Sequence, residues 1–296
     1  MISITNKIKH RIKNILSGSQ NQDIIYQING ELETINISLP SSHKLPLYQS
    51  LYKLYDKKII NIAKCIFNEI GGTCIDIGAN IGDTAVAIRA SSNMPIICVE
   101  GDAEFFSYLD KNTLGLKDIT IVKSFIGGEQ KDVKGQFIKK DGTGKIIENL
   151  SASSSISFIT INNLLSNLNL KPADISLLKI DTDGFDFEII MGNIDFINSH
   201  KISLFFEYEI NSPESHLKSL EVIETLSKKG YKFIVYDNFG NFHTSVSVDF
   251  VNRFNEINSY IKSGSINGGG IYYVDVFAVA NDTLFNNIYK SELITF

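Results

Sequence analysis

A strand, turn and helix signal over residues 73–91 constrains the fold of this chain more than any other feature. A largely apolar strand signal at residues 73–77 leads into a turn that carries Gly78 and Gly82, and a second apolar run ends at Glu100. This order is typical of a βαβ unit that holds a nucleotide. Glu100 lies 24 residues after Asp76, close to the roughly 20 residues expected for a carboxylate that binds ribose hydroxyls. The pattern therefore predicts a pocket for an adenosine-containing cofactor.

The turn lacks the glycines of a dinucleotide site. Counted from Gly78, the later glycine positions of G-x-G-x-x-G hold Asn80 and Asp83. A carboxylate such as Asp76 repels a diphosphate and attracts an ammonium or sulfonium. S-adenosylmethionine carries both cations and no phosphate, so we expect it, with S-adenosylhomocysteine as product. An NAD-dependent oxidoreductase remains an alternative, but it needs a glycine pattern that this turn does not have.

Three sequence blocks together resemble one family. They are Asp-Ile-Gly-Ala-Asn-Ile-Gly-Asp-Thr at 76–84, Val-Glu-Gly-Asp at 99–102 and Leu-Leu-Lys-Ile-Asp-Thr-Asp-Gly-Phe-Asp at 177–186. In this order they resemble the FkbM-type family of S-adenosylmethionine-dependent methyltransferases, from about Leu39 to Phe277. The resemblance implies the class I methyltransferase fold and transfer to an oxygen, often a sugar hydroxyl in a glycan, lipopolysaccharide or polyketide pathway. It does not identify the substrate.

Composition narrows the class of protein. With 296 residues, 43% of them hydrophobic, the chain is long enough to bury a sizeable core. A net charge of −5 argues against a nucleic-acid substrate, which favours a basic groove. The cysteines form no CxxC motif, and Cys74 and Cys98 lie in predicted buried strands as small apolar residues. Neither a membrane span nor a signal peptide is visible, so we expect a cytoplasmic protein.

The predicted organisation is an N-terminal extension followed by one catalytic domain. Residues 1–70 would contain a basic amphipathic helix within residues 1–16, a small hairpin that turns at residues 29–30, and a helix from about residue 52 to 68 that covers the cofactor. Residues 71–296 would form the α/β class I methyltransferase (Rossmann-like) domain, a doubly wound sheet of about seven strands with a small antiparallel insertion around 128–155. The sequence leaves open whether residues 1–16 contact an anionic membrane and whether the chain forms an oligomer.

Ligands of such sheets lie beyond the carboxyl ends of the strands. In a pose like the family's, Asp76 and Asn80 face the methionine portion of the cofactor, Glu100 faces the ribose, and Ser124 and Phe125 form an adenine wall. The full predicted cofactor set is Asp76, Gly78, Ala79, Asn80, Gly82, Asp83, Glu100, Gly101, Asp102, Ser124, Phe125 and Tyr48.

Methyl transfer needs alignment and a base for the acceptor hydroxyl. We prefer Asp181 as base and His43 as second candidate, with Glu207 and Asp183 also in the catalytic set. An alternative interpretation makes Asp181 a cofactor-loop or helix-capping carboxylate, and Lys179 the counter-charge of buried acids. The acidic cluster of Asp181, Asp183, Asp186 and Glu207 offers oxygen ligands for Mg²⁺ or Ca²⁺. We nevertheless expect no metal, because the full calcium-loop pattern is missing and the histidines lack the spacing of zinc ligands.

The sequence therefore predicts an O-methyltransferase that acts on a sugar hydroxyl in surface polysaccharide or glycolipid biosynthesis. The acceptor would be a glycan or a small-molecule hydroxyl. Two alternatives stay open: a catalytically silent, cofactor-binding subunit of a glycan-assembly complex, and an N-methyltransferase on an amino sugar or peptide.

Overall fold

The structure, a computed structural model, describes residues 19–28, 31–140, 142–149, 155–266 and 270–293. The predicted basic helix within residues 1–16 and the predicted turn at residues 29–30 lie outside the described residues.

Fourteen strands form in the described part of the chain. They are β1 (Ser19–Ile28), β2 (Glu31–Pro40), β3 (Thr73–Ile77), β4 (Ile96–Val99), β5 (Ile119–Val122), β6 (Phe125–Ile126), β7 (Lys131–Lys140), β8 (Thr143–Glu148), β9 (Ser155–Ile159), β10 (Ile175–Ile180), β11 (Ser203–Glu209), β12 (Lys232–Asp237), β13 (Phe242–Val246) and β14 (Tyr273–Val279).

Ten α-helices accompany these strands in the same ranges. They are α1 (Leu45–Leu51), α2 (Lys58–Ile70), α3 (Asp83–Ser91), α4 (Ala103–Thr113), α5 (Ile161–Asn167), α6 (Asp186–Gly192), α7 (Ile194–His200), α8 (Pro213–Lys228), α9 (Phe250–Ile266) and α10 (Asp282–Glu292).

The main sheet has eight strands in the order β13-β12-β14-β11-β10-β3-β4-β5. The strands from β11 to β5 are parallel to their neighbours, whereas β14 is antiparallel to both β11 and β12. The chain starts near the middle of the sheet and moves first to one edge and then to the other, so both faces are covered by helices. The predicted α/β class I methyltransferase fold is confirmed. The prediction of about seven strands missed β13, a polar edge strand.

The predicted excursion around residues 128–155 is a separate small sheet in the order β6-β9-β7-β8. Its β7 is antiparallel to β8 and to β9, whereas the short β6 is parallel to β9. The hairpin β7–β8 brings its tip, near Gly142 and Gly144, over the carboxyl end of the main sheet.

The N-terminal extension differs in detail from the prediction. Strands β1 and β2 pair as the predicted antiparallel hairpin. The helix predicted from about residue 52 begins only at Lys58, and α2 buries its apolar face against the main domain. The segment that reaches the carboxyl end of the sheet is instead the shorter stretch from His43 to Asp56, which includes α1.

Alternation along the strands divides the core into two apolar layers. Ile75 and Ile77 of β3 pack into one layer, whereas Cys74 packs into the other. Asp76 therefore shares a face with Cys74 and is fully buried. No helix in the described ranges is long and apolar enough to cross a membrane.

Candidate active site

Two adjoining clefts open at the carboxyl ends of β3, β4, β10 and β11. The nucleoside cleft, of about 560 Å³ including its open mouth, lies between β3, β4 and the small sheet. The acidic cleft, of about 1120 Å³ by the same measure, lies over β10, β11 and β14 beneath the segment His43–Asp56. Gly78, Asn80, Asp181 and Asp183 line both clefts. Groups bound in the two clefts would therefore meet at these residues.

Glu100 supplies the carboxylate of the nucleoside cleft. It follows β4 and is only 6% exposed. Its Oε2 accepts a hydrogen bond from the backbone N–H of Asn80 at 2.9 Å, and its Oε1 accepts from that of Asp102 at 2.7 Å. Burial raises the pKa of Glu100 to about 7, against the effect of these two hydrogen bonds. Each oxygen keeps a second lone pair, so the carboxylate can accept the hydroxyls of a ribose.

Aromatic rings form the far wall of the nucleoside cleft. Phe125 lies 5.7 Å from Phe137 and 5.9 Å from Phe158 between ring centroids. Phe158 in turn lies 5.8 Å from Phe185. All four side chains line the cleft together with Ser124. The geometry offers a flat base an apolar, aromatic surface of the kind on which rings stack.

Two glycines allow close packing of protein atoms around the nucleoside cleft. Gly78 has φ +79°, and an added Cβ would lie 1.9 Å from the carbonyl oxygen of Asp181. Only glycine permits this close approach between the β3–α3 turn and the end of β10. An added Cβ on Gly101 would lie 2.4 Å from the ring of Phe125. Both positions therefore fix the shape of the nucleoside cleft.

The hairpin tip of the small sheet is bonded to the core loops of the site. Asn80 donates through Nδ2 to the carbonyl oxygen of Gly142 at 2.8 Å. The backbone N–H of Gly144 donates to Oδ2 of Asp183 at 3.0 Å. These two bonds hold the β7–β8 tip against both clefts.

His43 packs against this tip. An added Cβ on Gly142 would lie 2.8 Å from the imidazole ring. Nδ1 of His43 accepts the backbone N–H of Leu45 at 3.2 Å, so the neutral ring carries its proton on Nε2. Burial lowers the pKa of His43, and its hydrogen bond with Asn80 opposes this effect. The remaining lone pair of the ring is thus already engaged, which makes His43 a poorer base than a carboxylate in this arrangement.

The acidic cleft contains seven carboxylates and, among the described residues, a single lysine, Lys179. Lys179 lies 3.2 Å from both Oδ1 of Asp76 and Oδ2 of Asp181. Burial alone would lower the pKa of Lys179. The charges of Asp76 and Asp181 act in the opposite direction, and the resulting pKa lies well above its ordinary value. The acids of the cleft are Asp56, Asp83, Asp181, Asp183, Glu207, Glu209 and Asp275.

Crowding in this region favours protonated acids. Burial raises the pKa of Asp83 to about 6, and that of the neighbouring Asp186 to about 7. Burial and the charge of Asp181 raise the pKa of Glu207 well above its ordinary value. Asp181 itself is 45% exposed and accepts the Lys179 bond. It is the carboxylate best placed to face a substrate while remaining oriented by the protein.

Asp76, which the sequence predicted to bind the cofactor, does not line either cleft. It is 0% exposed and is absent from the lining of both. Alternation along β3 turns its side chain into the helix-covered layer, beside Lys179 of β10 in register. Asp76 is therefore a positioning residue, which holds the ammonium that in turn holds Asp181. These contacts of Lys179 agree with the interpretation from the sequence, in which Lys179 balances the charge of buried acids.

Two further residues that were predicted to bind the cofactor lie at the N-termini of helices. Gly82 is the N-cap of α3, where its φ of +83° places it against Leu109. Asp102 caps α4 by accepting the backbone N–H groups of Glu104 and Phe105. Neither residue lines a cleft. The other predicted residues do, namely Gly78, Ala79, Asn80, Asp83, Glu100, Gly101, Ser124, Phe125, Tyr48, His43, Asp181, Asp183 and Glu207.

Sequence reasoning missed part of the acidic cleft. Asp56 and Tyr273 carried no local signal, because only the fold of the extension and the position of β14 bring them to the site. Asp275 did carry one: a charged residue at the third position of an otherwise apolar strand. Across the described residues, no group of three or more His, Cys, Asp or Glu side chains is arranged to hold a metal ion.

Comparison with protein-family models matches residues 76–233 to the methyltransferase FkbM domain. This match covers more than half of the chain. No curated protein matches the sequence.

Solved structures resemble the chain only weakly. Methyltransferase FkbM from Methylobacillus flagellatus KT is 14% identical, with 64% of this chain and 54% of that chain covered and a TM-score of 0.36. This chain thus spans about half the length of that protein. Precorrin-6y C5,15-methyltransferase from Geobacter metallireducens GS-15 is 11% identical, with 75% and 86% covered and a TM-score of 0.38. A putative caffeoyl-CoA O-methyltransferase from Staphylococcus aureus is 9% identical, with 81% and 93% covered and a TM-score of 0.41.

Proposed function

The chain belongs to the family of the methyltransferase FkbM domain, and from that premise we propose that it transfers the methyl group of S-adenosylmethionine to a sugar hydroxyl. The reaction would serve the assembly of a surface polysaccharide or glycolipid in the cytoplasm. The observation that carries the proposal is the position of Asp181, which lines both the nucleoside cleft and the acidic cleft. A base at this junction can face donor and acceptor at once.

The residues of the nucleoside cleft fit the adenosine of the cofactor. Glu100 would accept the ribose hydroxyls through its free lone pairs, and Phe125 would cover the adenine. Gly78 lets the β3–α3 turn pack closely against the end of β10, and the acids beside this turn match the cationic groups of the methionine portion. When bound, S-adenosylmethionine supplies a methyl carbon already activated by its sulfonium.

The chain's own contribution would be alignment and removal of one proton. The acceptor hydroxyl would enter from the acidic cleft, close to the carboxylate of Asp181. Lys179 orients that carboxylate through the bond at 3.2 Å. Asp181 would take the hydroxyl proton as the oxygen approaches the methyl carbon. The hairpin tip held by Asn80 and Asp183 would limit the access of water.

A sugar acceptor is supported by the walls of the acidic cleft. Tyr48, Tyr55, Tyr272 and Tyr273 line it together with the carboxylates. Tyrosine rings present an apolar face and a hydroxyl together, and carboxylates accept hydrogen bonds from sugar hydroxyls. The combination suits a small polar ring better than a long apolar chain.

A transfer assay tests the proposal. The protein would be incubated with S-adenosylmethionine that carries a deuterated methyl group and with the methyl glycosides of common hexoses and amino hexoses. Mass spectrometry should show a labelled methyl on an oxygen of at least one sugar, together with S-adenosylhomocysteine. A label on nitrogen would indicate an N-methyltransferase instead. Cofactor binding with no transfer to any sugar would favour the silent, partner-binding module.

A further inference from the structure

Two carboxylates face each other on neighbouring strands in the floor of the acidic cleft. Glu207 of β11 lies directly opposite Asp275 of β14 in the antiparallel register. Directly opposed residues share a face of the sheet, with Cβ atoms roughly 5 Å apart, and like charges in this arrangement destabilise the sheet. In the part of the chain that the structure describes, neither side chain accepts a hydrogen bond or forms an ion pair. A destabilising pair of this kind is left open to the cleft.

Further acidic groups surround this pair. Burial raises the pKa of Asp275 well above its ordinary value, and the charge of Asp56 adds to the effect. Asp186, 3% exposed, has a carboxylate oxygen without a hydrogen-bond partner among the described residues, and its charge acts on both Glu207 and Asp275. The pair thus lies in a region where a proton or another cation is strongly favoured.

The cations already identified do not neutralise this pair. Lys179 is engaged by Asp76 and Asp181. The cofactor would bring a net charge of about one positive unit, located at the β3–α3 turn and not over β14. In the absence of a ligand the pair therefore depends on bound protons, and a cationic acceptor that replaces those protons would complement the two carboxylates.

We infer that the acceptor is an amino sugar whose ammonium group lies between Glu207 and Asp275, while a hydroxyl of the same sugar receives the methyl group. This inference rests on the proposed function and specifies its substrate class. Tyr55, Tyr272 and Tyr273 also line the acidic cleft, close enough to interact with Glu207 or Asp275. Tyrosine rings of this kind attract an ammonium that lies over their faces.

The charge state decides which atom is methylated. An ammonium held by two carboxylates has no lone pair, so it cannot attack the methyl carbon. The hydroxyl oxygen forms the new C–O bond, the C–S bond breaks, and its electron pair stays on sulfur as the thioether of S-adenosylhomocysteine. The hydroxyl proton passes to Asp181. Glu207 is accordingly an acceptor-binding residue and not the base.

Calorimetric titration of the protein saturated with S-adenosylhomocysteine tests this inference. The probes are the methyl glycosides of 2-, 3- and 4-amino hexoses, each paired with its N-acetyl counterpart, which has the same ring and no charge. At least one amino sugar should bind about tenfold more tightly than its N-acetyl partner at pH 7, a difference of about 1.4 kcal/mol. The preference should weaken as salt is added.

The double variant Glu207→Gln, Asp275→Asn should reduce this preference to less than about twofold while leaving S-adenosylhomocysteine binding intact. Both changes keep the side-chain shape and remove the like-charge repulsion, so the variant is expected to fold. Glu214→Gln, in an exposed pair with Lys218 on α8, is the matched control and should keep the full preference.

Equal or tighter binding of the N-acetyl sugars would overturn the inference, as would a failure of every amino sugar to bind. In either case, intact binding of S-adenosylhomocysteine would leave the proposed function standing. A folded protein that does not bind S-adenosylhomocysteine would instead refute the proposed function, and the inference with it.

Discussion

Nζ of Lys179 lies 3.2 Å from Oδ1 of Asp76, and both side chains are buried between β10 and β3. The same nitrogen donates to Asp181. A buried charge pair of this kind contributes little net stability as a whole, but removing one partner leaves an uncompensated charge in the core. The link connects the interior of the sheet to the carboxylate that we assign as base.

Lys179→Met should therefore destabilise the protein by about 3–5 kcal/mol, measured as the free energy of unfolding in urea. Adding Asp76→Asn to the same protein should recover most of the loss, because the buried partner that Lys179 leaves behind then carries no charge. Lys228→Met, which removes an exposed pair with Glu224 on α8, should cost less than about 1 kcal/mol. Unchanged stability of Lys179→Met would show that the buried pair is not formed.

Gly78→Ala should damage both stability and cofactor binding. The new Cβ would meet the carbonyl oxygen of Asp181, in addition to the strain of a positive φ. Gly115→Ala is the matched control, since Gly115 has a similar φ of +81° and open space around it. We expect about 1 kcal/mol for the control and about 1–3 kcal/mol more for Gly78→Ala, by urea denaturation. Equal losses in the two variants would contradict the close approach at Gly78.

Asp181→Asn should separate catalysis from binding. The amide cannot take the hydroxyl proton, so kcat should fall by about 10²–10⁴-fold. The affinity for S-adenosylhomocysteine, measured by calorimetry, should change by less than about threefold. Asp195→Asn, on the exposed face of α7, should leave both quantities unchanged. A kcat within tenfold of the unmodified protein would remove Asp181 from its role as base.

Stability of the ligand-free protein should fall as the pH rises from about 5 to 7.5. Glu100 has its pKa raised from an ordinary 4.5 to about 7 in the folded state. The folded protein therefore holds a proton between these values that the unfolded chain releases, and this stabilisation is lost as the pH approaches 7. The loss from Glu100 alone is on the order of 3 kcal/mol.

Urea denaturation at pH 5 and pH 7.5 measures this effect. Asp186, with a pKa of about 7, acts in the same direction. Glu100→Gln, which cannot titrate, should show a smaller drop over the same interval. A rise in stability between the two pH values would contradict the raised pKa values.

The sequence predicted the elements that carry the site but not the directions of all side chains. Apolar runs located β3, β4, β10 and β11, and the acids that follow three of them, Glu100, Asp181 and Glu207, do line the clefts. Asp76 lies within its strand, and the sequence did not indicate which face it would take. Alternation along β3 turned it into the core.

Contacts between distant segments account for the rest. Asp56 and Tyr273 reach the acidic cleft only because the extension folds back over the antiparallel β14. The polar strand β13 and the helices α9 and α10 were missed, since their mixed polar patterns resemble loops more than regular elements.

Calorimetric titration with S-adenosylmethionine, and separately with NAD, tests whether the cleft binds this methyl donor. We expect one site for S-adenosylmethionine, no heat from NAD, and binding at least about tenfold weaker in Glu100→Gln, because the ribose would lose its carboxylate acceptor. Binding of NAD in place of S-adenosylmethionine, or of neither by a folded protein, would contradict it.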